Sequence, residues 1–392
     1  MPRYAPPMLR ERLATLVRTV RPRRRAVAFA SSGAAVLAIA GAGTFMLVAG
    51  SPAPAKRPAA AATTTTAAPH LVARPKPAPR HPRRPKVHLP PTCPLTGLAP
   101  PGGQVPQREV LAVKVGNNPS ARPQSGLQQA DIVFDTLAEG GITRYIAVYQ
   151  CGTAADIGPV RSVRWDDWHI LAEFGHAGLA YVGGVNPNRA TVASLPWICN
   201  LDDFVHPELY QQDPERVPPD ATYTSTAVLS SACGKQPPPP PAFQFSKSVQ
   251  PGAGPVSAAE IPYSGSADVV WQWSAAQHAF LHAYREGGAV VPDIDSDASQ
   301  LQADNVLVQF VAIQYGPYIE TPGSTGDVES ITLGSGPAYL LRNGRLIKGT
   351  WSRAHWDDMT QFTTAGGKPF LFDPGNTWVE LVPLGLQVTF TP

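Results

Sequence analysis

Ala130–Tyr149 reads ADIVFDTLAEGGITRYIAVY, and its two apolar runs set the fold class. Asp131–Leu137 (DIVFDTL) and Tyr145–Tyr149 (YIAVY) are short, rich in β-branched and aromatic residues, and separated by a stretch containing Gly140-Gly141. That is the composition of strands joined by a turn. Upstream, Val110–Val115 (VLAVKV) reads as a buried strand; downstream, Trp168–His176 reads as a helix and Leu179–Val182 as a strand ending in Gly183-Gly184. Residues 93–235 are therefore expected to form an α/β domain. Five consecutive prolines, Pro237–Pro241, then follow Gln236, so residues 236–243 read as a linker. Beyond it, residues 244–392 are predicted to be β-rich. The expected strands are Val269–Trp273, Ala279–Tyr284, Asn305–Ile313, Ile331–Leu333, Pro337–Arg342 and Arg345–Trp351, with Trp378–Val382 and Leu386–Phe390 as a closing pair. Asn343-Gly344 between two of these runs is a type I′ hairpin signal, because both residues tolerate positive φ.

The first ninety residues read differently. Ala26–Gly50 carries no charge and is mostly Ala, Val, Leu and Gly. At about 1.5 Å per residue it is long enough to cross a hydrocarbon core of roughly 30 Å. Residues 1–25 hold eight arginines against the single acid Glu11, so this tail is expected to stay in the cytoplasm and the C-terminal part to lie outside. The apolar run exceeds the usual length of a signal-peptide core, which favours an uncleaved transmembrane anchor. Residues 51–92 are Pro, Ala, Thr and basic residues, with too little apolar content to offset chain entropy; a disordered, semi-rigid spacer is expected.

Charge separates these regions. The chain carries +3, of which the tail supplies +7 and the spacer +8, leaving −12 on residues 93–392. A folded part this acidic argues against nucleic acid as its partner. The cationic spacer could instead rest on anionic lipid or wall polymer. The four cysteines, Cys93, Cys151, Cys199 and Cys233, all lie beyond the anchor and are expected to form two disulfides outside the cytoplasm. Of three possible pairings, Cys93–Cys151 with Cys199–Cys233 is favoured. No paired C-x-x-C spacing points to a structural metal, and none is expected.

Several ordered stretches resemble a known bacterial family. They are Cys93–Gly97 (CPLTG), Val115–Leu127 (VGNNPSARPQSGL), Ala130–Tyr149, Ile157–Arg164 (IGPVRSVR) and Tyr223–Thr226 (YTST), then Tyr284-Arg285, Asp304–Gln309 (DNVLVQ), Gly349–Trp351 and Pro374–Val379 (PGNTWV). Together they are similar to the YerB-like envelope lipoproteins, which carry a two-part domain of unknown function. The resemblance implies an envelope location and no defined chemistry. Where that family has a lipidated cysteine after the apolar run, this chain has Ser51. Asp220 stands at about the place of a family histidine before the YTST motif, and Pro292, before Asp293, at that of a second.

The densest polar constellation is Arg122, Glu139, Arg144, Arg161, Arg164 and Asp166, with Asp167 beside it. Guanidinium forks suit phosphate or carboxylate, so the expected ligand is an anionic envelope glycan, bound as an accessory factor, with an envelope protein as the other candidate partner. The bland alternative is that each arginine pairs with a neighbouring acid: Arg144 with Glu139, and Arg161 or Arg164 with Asp166. A second alternative is enzymatic. Strand, turn, Pro-x-Arg-x-x-Arg and helix resembles the LytR-CpsA-Psr phosphoglycan transferases, which would imply Mg²⁺ held by Asp131, Asp135 or Asp166. Otherwise no cofactor is expected. A third is a scaffold for other envelope proteins. His169 and His176 are expected on one helix, and His278 and His282 on one strand face. Trp271, Trp273, Tyr284, Trp351, Trp356 and Trp378 could offer stacking surface to sugars, or fill a core; the core reading is favoured.

Overall fold

The computed structural model describes residues 90–265, 267–319 and 326–392. The tail, the anchor and nearly all of the spacer lie outside the described residues. Among the described residues no helix is long and apolar enough to cross a membrane.

The three expected strands around Ala130–Tyr149 are present as β1 (Val110–Gly116), β2 (Ile132–Leu137) and β3 (Thr143–Tyr149). Each is buried along its whole length, which explains why the sequence shows continuous apolar runs rather than alternation. The side chains still divide by pleat. Leu111, Val113, Val115, Val133 and Tyr145 enter one core cluster, and Val110, Ala112, Ile132, Phe134 and Ile146 enter another on the opposite face. Helix α1 (Trp165–Leu171), β4 (Ala177–Tyr181), α2 (Asn186–Ser194), β5 (Ile198–Asp202) and α3 (Thr226–Ala232) complete the first part.

These strands do not form a sheet of their own. One large mixed sheet runs Gln361–Thr364, Arg345–Arg353, Gly334–Arg342, Asn305–Tyr315, Thr377–Pro383, β2, β3, β1, β4, β5. The Thr377–Pro383 strand lies parallel to both Asn305–Tyr315 and β2, in register Asp135↔Glu380, and thereby joins the two parts of the sequence. The proline-bearing linker therefore divides the sequence but not the sheet, and the expected α/β and β-rich parts form one strand-rich unit with few helices. The linker itself is tied down: the Ala242 amide donates to the Pro94 carbonyl, and Phe243 packs on Phe372 at 4.0 Å between ring centroids.

A second, antiparallel sheet is built from Ala289–Pro292, Ala279–Glu286, Asp268–Ser274, Ala258–Pro262 and Thr389–Thr391. It covers one face of the large sheet, burying Trp271, Phe280 and Tyr284 against Tyr145 and Trp378. The expected closing pair is thus corrected. Thr377–Pro383 stays in the large sheet, whereas Thr389–Thr391 crosses to the second sheet and pairs with Ala258–Pro262. The opposite face is covered by α1, α2 and an aromatic group of Phe243, Phe362, Phe370 and Phe372. The Asn343-Gly344 hairpin forms as read, with both residues at positive φ and Arg342 opposite Arg345. A side chain at Gly344 would meet the Trp273 indole at 2.8 Å.

The expected disulfides, Cys93–Cys151 and Cys199–Cys233, are both present. All paired strands, both core clusters and both disulfides lie within residues 93–392, so this region carries its own core.

A shared sheet predicts one unfolding event. The Trp271→Ala variant of the 93–392 fragment should lose about 3–5 kcal/mol and shift a single urea transition seen by both far-ultraviolet circular dichroism and fluorescence. Two separated transitions, with only the later part of the sequence affected, would show that the halves fold independently.

Candidate functional site

The arginine constellation sits where β1 ends and α1 begins. Lys114, on the α1-side face of β1, is fully buried and reaches the Asp167 carboxylate at 2.5 Å and the Thr136 hydroxyl at 3.2 Å. Asp167 in turn accepts the Arg164 amide at 2.7 Å, which satisfies an orphan donor at the start of α1. The Arg164 guanidinium forks onto Glu139, with contacts of 2.8 and 2.9 Å. Burial works against the Glu139 carboxylate, but Arg164 and Arg144 together hold its pKa below the ordinary value. Asp166 is fully buried, and burial, opposed by Lys114 and reinforced by Asp167, pushes its pKa up to about 7.

Arg161 and Arg122 go elsewhere. Arg161 pairs with Asp220 at 2.8 Å, and Asp220 also accepts from Asn118 and Ser120. The aspartate at the place of the family histidine thus anchors the VGNNPSARP loop. Arg122 meets Glu286 at 3.1 Å and lies 3.4 Å over the Tyr284 ring. The structure therefore unites Glu139, Arg144 and Arg164, places Asp166 beside Lys114 and Asp167, and pairs Arg122 and Arg161 elsewhere. Of the pairings read from sequence, Arg144 does act on Glu139, whereas Arg164 takes Glu139 rather than Asp166 and Arg161 takes Asp220.

None of the carboxylates proposed for Mg²⁺ faces solvent. Asp131 accepts backbone amides of Gln150, Cys151 and Gly152, which clamps the turn after β3. Asp135 is fully buried opposite Glu380, and burial followed by the neighbouring carboxylate raises its pKa well above the usual range. Glu380 accepts from the Trp271 indole at 2.8 Å and from the Tyr263 hydroxyl at 3.2 Å. His282, stacked on Trp378 at 4.9 Å, pairs with Asp293 at 2.8 Å. These groups lie between the two sheets and hold them in register. His278 is in the turn before the strand, so the two histidines do not share a strand face. Among the described residues, Glu109, Cys199 and Cys233 come within 4.8 Å of one another, but the two sulfurs are bonded to each other and offer no thiolate to a metal.

An open, preformed cleft of about 490 Å³ lies on the other side of α1, lined by Trp168, His169, His176, Trp197, Trp356 and Asp357 among others. Its walls are fixed from behind. The His169 ring is held by Glu329 at 2.5 Å and stacks on Trp356 at 4.1 Å between centroids, with 16° between planes. Arg353 bonds the Trp356 carbonyl and lies near its ring. Helix α1 ends at Leu171, so His176 reaches the cleft from the following turn rather than from the helix face expected for it. Of the aromatics singled out in sequence, Trp271, Tyr284, Trp351 and Trp378 are buried core; Trp356 alone joins the cleft. Trp168 was read only as the start of a helix, and Trp197 carried no signal in the sequence.

Residues 95–238 match the family described as protein of unknown function (DUF3048), N-terminal domain, and residues 259–379 match its C-terminal domain. The chain belongs to the DUF3048 family. A relative from Bacillus subtilis (strain 168), named "Putative lipoprotein YerB", is 26% identical over 299 residues, covering 74% of this chain and 86% of that protein. The crystal structure of YerB from Bacillus subtilis superposes with a TM-score of 0.63 at 24% identity, over 77% of this chain and 99% of that one, and shares the fold. The N-terminal match ends within the proline run, at Pro238, and the C-terminal match begins at Ala259, so the family's two parts are the two sequence segments that build the single sheet.

The buried carboxyl groups fix a direction of pH dependence. A carboxyl whose pKa is raised on folding stabilises the fold fully below its unfolded value and loses that contribution as pH rises through the folded value. For Asp166 the window runs from about 4 to about 7. Thermal unfolding of the 93–392 fragment should therefore show a higher Tm at about pH 5 than at about pH 8. Asp166→Asn should flatten that slope and raise Tm at the higher pH; an unchanged slope would remove Asp166 as its source.

Proposed function

We propose that this DUF3048 protein is a membrane-anchored, extracytoplasmic accessory protein of the bacterial envelope, and that it binds an envelope saccharide in the tryptophan-lined cleft. The observation that carries this reading is the cleft itself: three indoles and two imidazoles around about 490 Å³, with Asp357 at the rim. Flat aromatic faces stack on the apolar faces of sugar rings, while imidazole and carboxylate groups bond hydroxyls. The His169–Trp356 stack and its Glu329 brace supply the wall before any ligand arrives, which lowers the ordering cost of binding. The apolar run behind a cationic tail supports anchoring, as does the name given to the Bacillus subtilis relative.

An anionic ligand at the arginines is the weaker alternative. It would have to displace Glu139 from Arg164 or Asp220 from Arg161, in a region whose net charge is −12. The phosphoglycan-transferase reading needs an open carboxylate pair beside those arginines, and Asp166 and Asp167 are fully buried. The described geometry thus favours a neutral saccharide over a polyanion.

Titration calorimetry of the 93–392 fragment with N-acetylglucosamine oligomers, beside a teichoic acid, tests this. Saturable binding of the neutral oligomer should weaken about tenfold in Trp356→Ala, a loss of about 1.4 kcal/mol, and persist in Arg164→Ala if that variant folds. Binding of the polyanion alone, abolished by Arg164→Ala and indifferent to Trp356→Ala, would restore the anion site.

A further inference from the structure

Beside the tryptophan cleft is a second, smaller one of about 170 Å³. Trp197 and His176 line both, so the two share a wall. The second cleft runs past the Cys199–Cys233 disulfide toward Gly234 and Gln236, and Glu109 lies in its lining. Glu109 stands immediately before β1 and is only 3% exposed, yet its Oε2 has no hydrogen-bond partner. The neighbouring Arg108 is close enough to attract Glu109 electrostatically, but its hydrogen bonds go to the Gln150 and Gly152 carbonyls at 2.8 and 2.7 Å.

A buried, unpartnered carboxylate oxygen is costly to the fold. Here the cost falls on an atom in the lining of a cleft that adjoins an aromatic platform. We infer that the tryptophan cleft continues across Trp197 into a second subsite, in which Glu109 accepts a hydrogen bond from a hydroxyl or amide N–H of the same ligand. The inference rests on the saccharide reading above and deepens it. The ligand is a linear oligosaccharide of at least two rings, one stacked among Trp168, Trp356 and Trp197 and the next presenting a donor to Glu109. Glu109 in one cleft and Asp357 in the other place a carboxylate in each lining, which suits a ligand rich in hydroxyl and amide donors better than a polyanion.

The groove also explains His176. It is exposed and belongs to neither core, yet it borders both subsites at the point where the ligand would cross Trp197. It is a positioning residue in this scheme, not a catalytic one.

The test is a length series. N-acetylglucosamine monomer through hexamer are titrated into the 93–392 fragment and into Glu109→Ala, Glu109→Gln and Trp356→Ala. Affinity in the unaltered protein should rise with added rings and then level off once both subsites are filled. Glu109→Ala should cancel most of that rise, about tenfold for the longer oligomers, while the shortest ligand that binds keeps its affinity. Glu109→Gln, which retains an acceptor, should recover part of the rise. Neither Glu109 variant should lower Tm, because the Oε2 it replaces has no hydrogen-bond partner in the fold; a fall in Tm would mark Glu109 as structural and overturn the inference. A full length dependence in Glu109→Ala would overturn the second subsite and leave the tryptophan cleft standing. Absence of binding by any oligomer to the unaltered protein would overturn both.

Discussion

The Thr377–Pro383 strand is the constraint on which the rest of the molecule depends. It enters the sheet between Asn305–Tyr315 and β2, parallel to both, and so joins the later part of the sequence to the earlier. The match is enforced from its two faces. Trp378, Glu380 and Val382 point toward the second sheet, where Glu380 takes the Trp271 indole proton and Trp378 stacks on His282; Val379 and Leu381 point toward the helices. A one-residue slip would put Glu380 among phenylalanines and Trp378 against the helix layer. The register Asp135↔Glu380 also brings two fully buried carboxyl groups together, which is tolerable because their raised pKa values let a proton reside there.

That join positions the cleft. Helix α1 and the turn before β5 come from the first part of the sequence, whereas Trp356, Asp357 and the Glu329 brace come from the second. The His169–Trp356 stack exists only because the shared sheet fixes these segments relative to one another. The arginines meanwhile serve the sheet end. Lys114–Asp167, Arg164–Glu139 and Arg161–Asp220 each neutralise a buried or half-buried charge and hold a loop-rich edge.

Much of this was legible in the sequence. β1 to β3 could be read because strands buried on both faces leave uninterrupted apolar runs, and Asn343-Gly344 because a two-residue turn demands positive φ at both positions. The two disulfides could be expected because all four cysteines follow an apolar run that reads as an anchor, and both are present. Topology was hidden, since parallel pairing of Thr377–Pro383 with β2 spans more than two hundred residues and leaves no local mark. Leu386–Phe390 looked like a partner for Trp378–Val382 because adjacency in sequence usually means adjacency in a sheet. The proposed site was the least legible part. Arginine density drew attention to residues whose charges are spent internally, while Trp168, Trp197, Trp356 and Glu109 are far apart in sequence and converge only in the fold.

The most direct measurement is a ¹H–¹⁵N spectrum of the eight tryptophan indoles in the 93–392 fragment during titration with N-acetylglucosamine oligomer. The account predicts saturable shifts of the Trp168, Trp197 and Trp356 indole signals, with those of Trp271, Trp351 and Trp378 unmoved in the core. Shifts confined to other tryptophans, or none at concentrations where binding is seen by heat, would contradict it and place the ligand elsewhere on the protein.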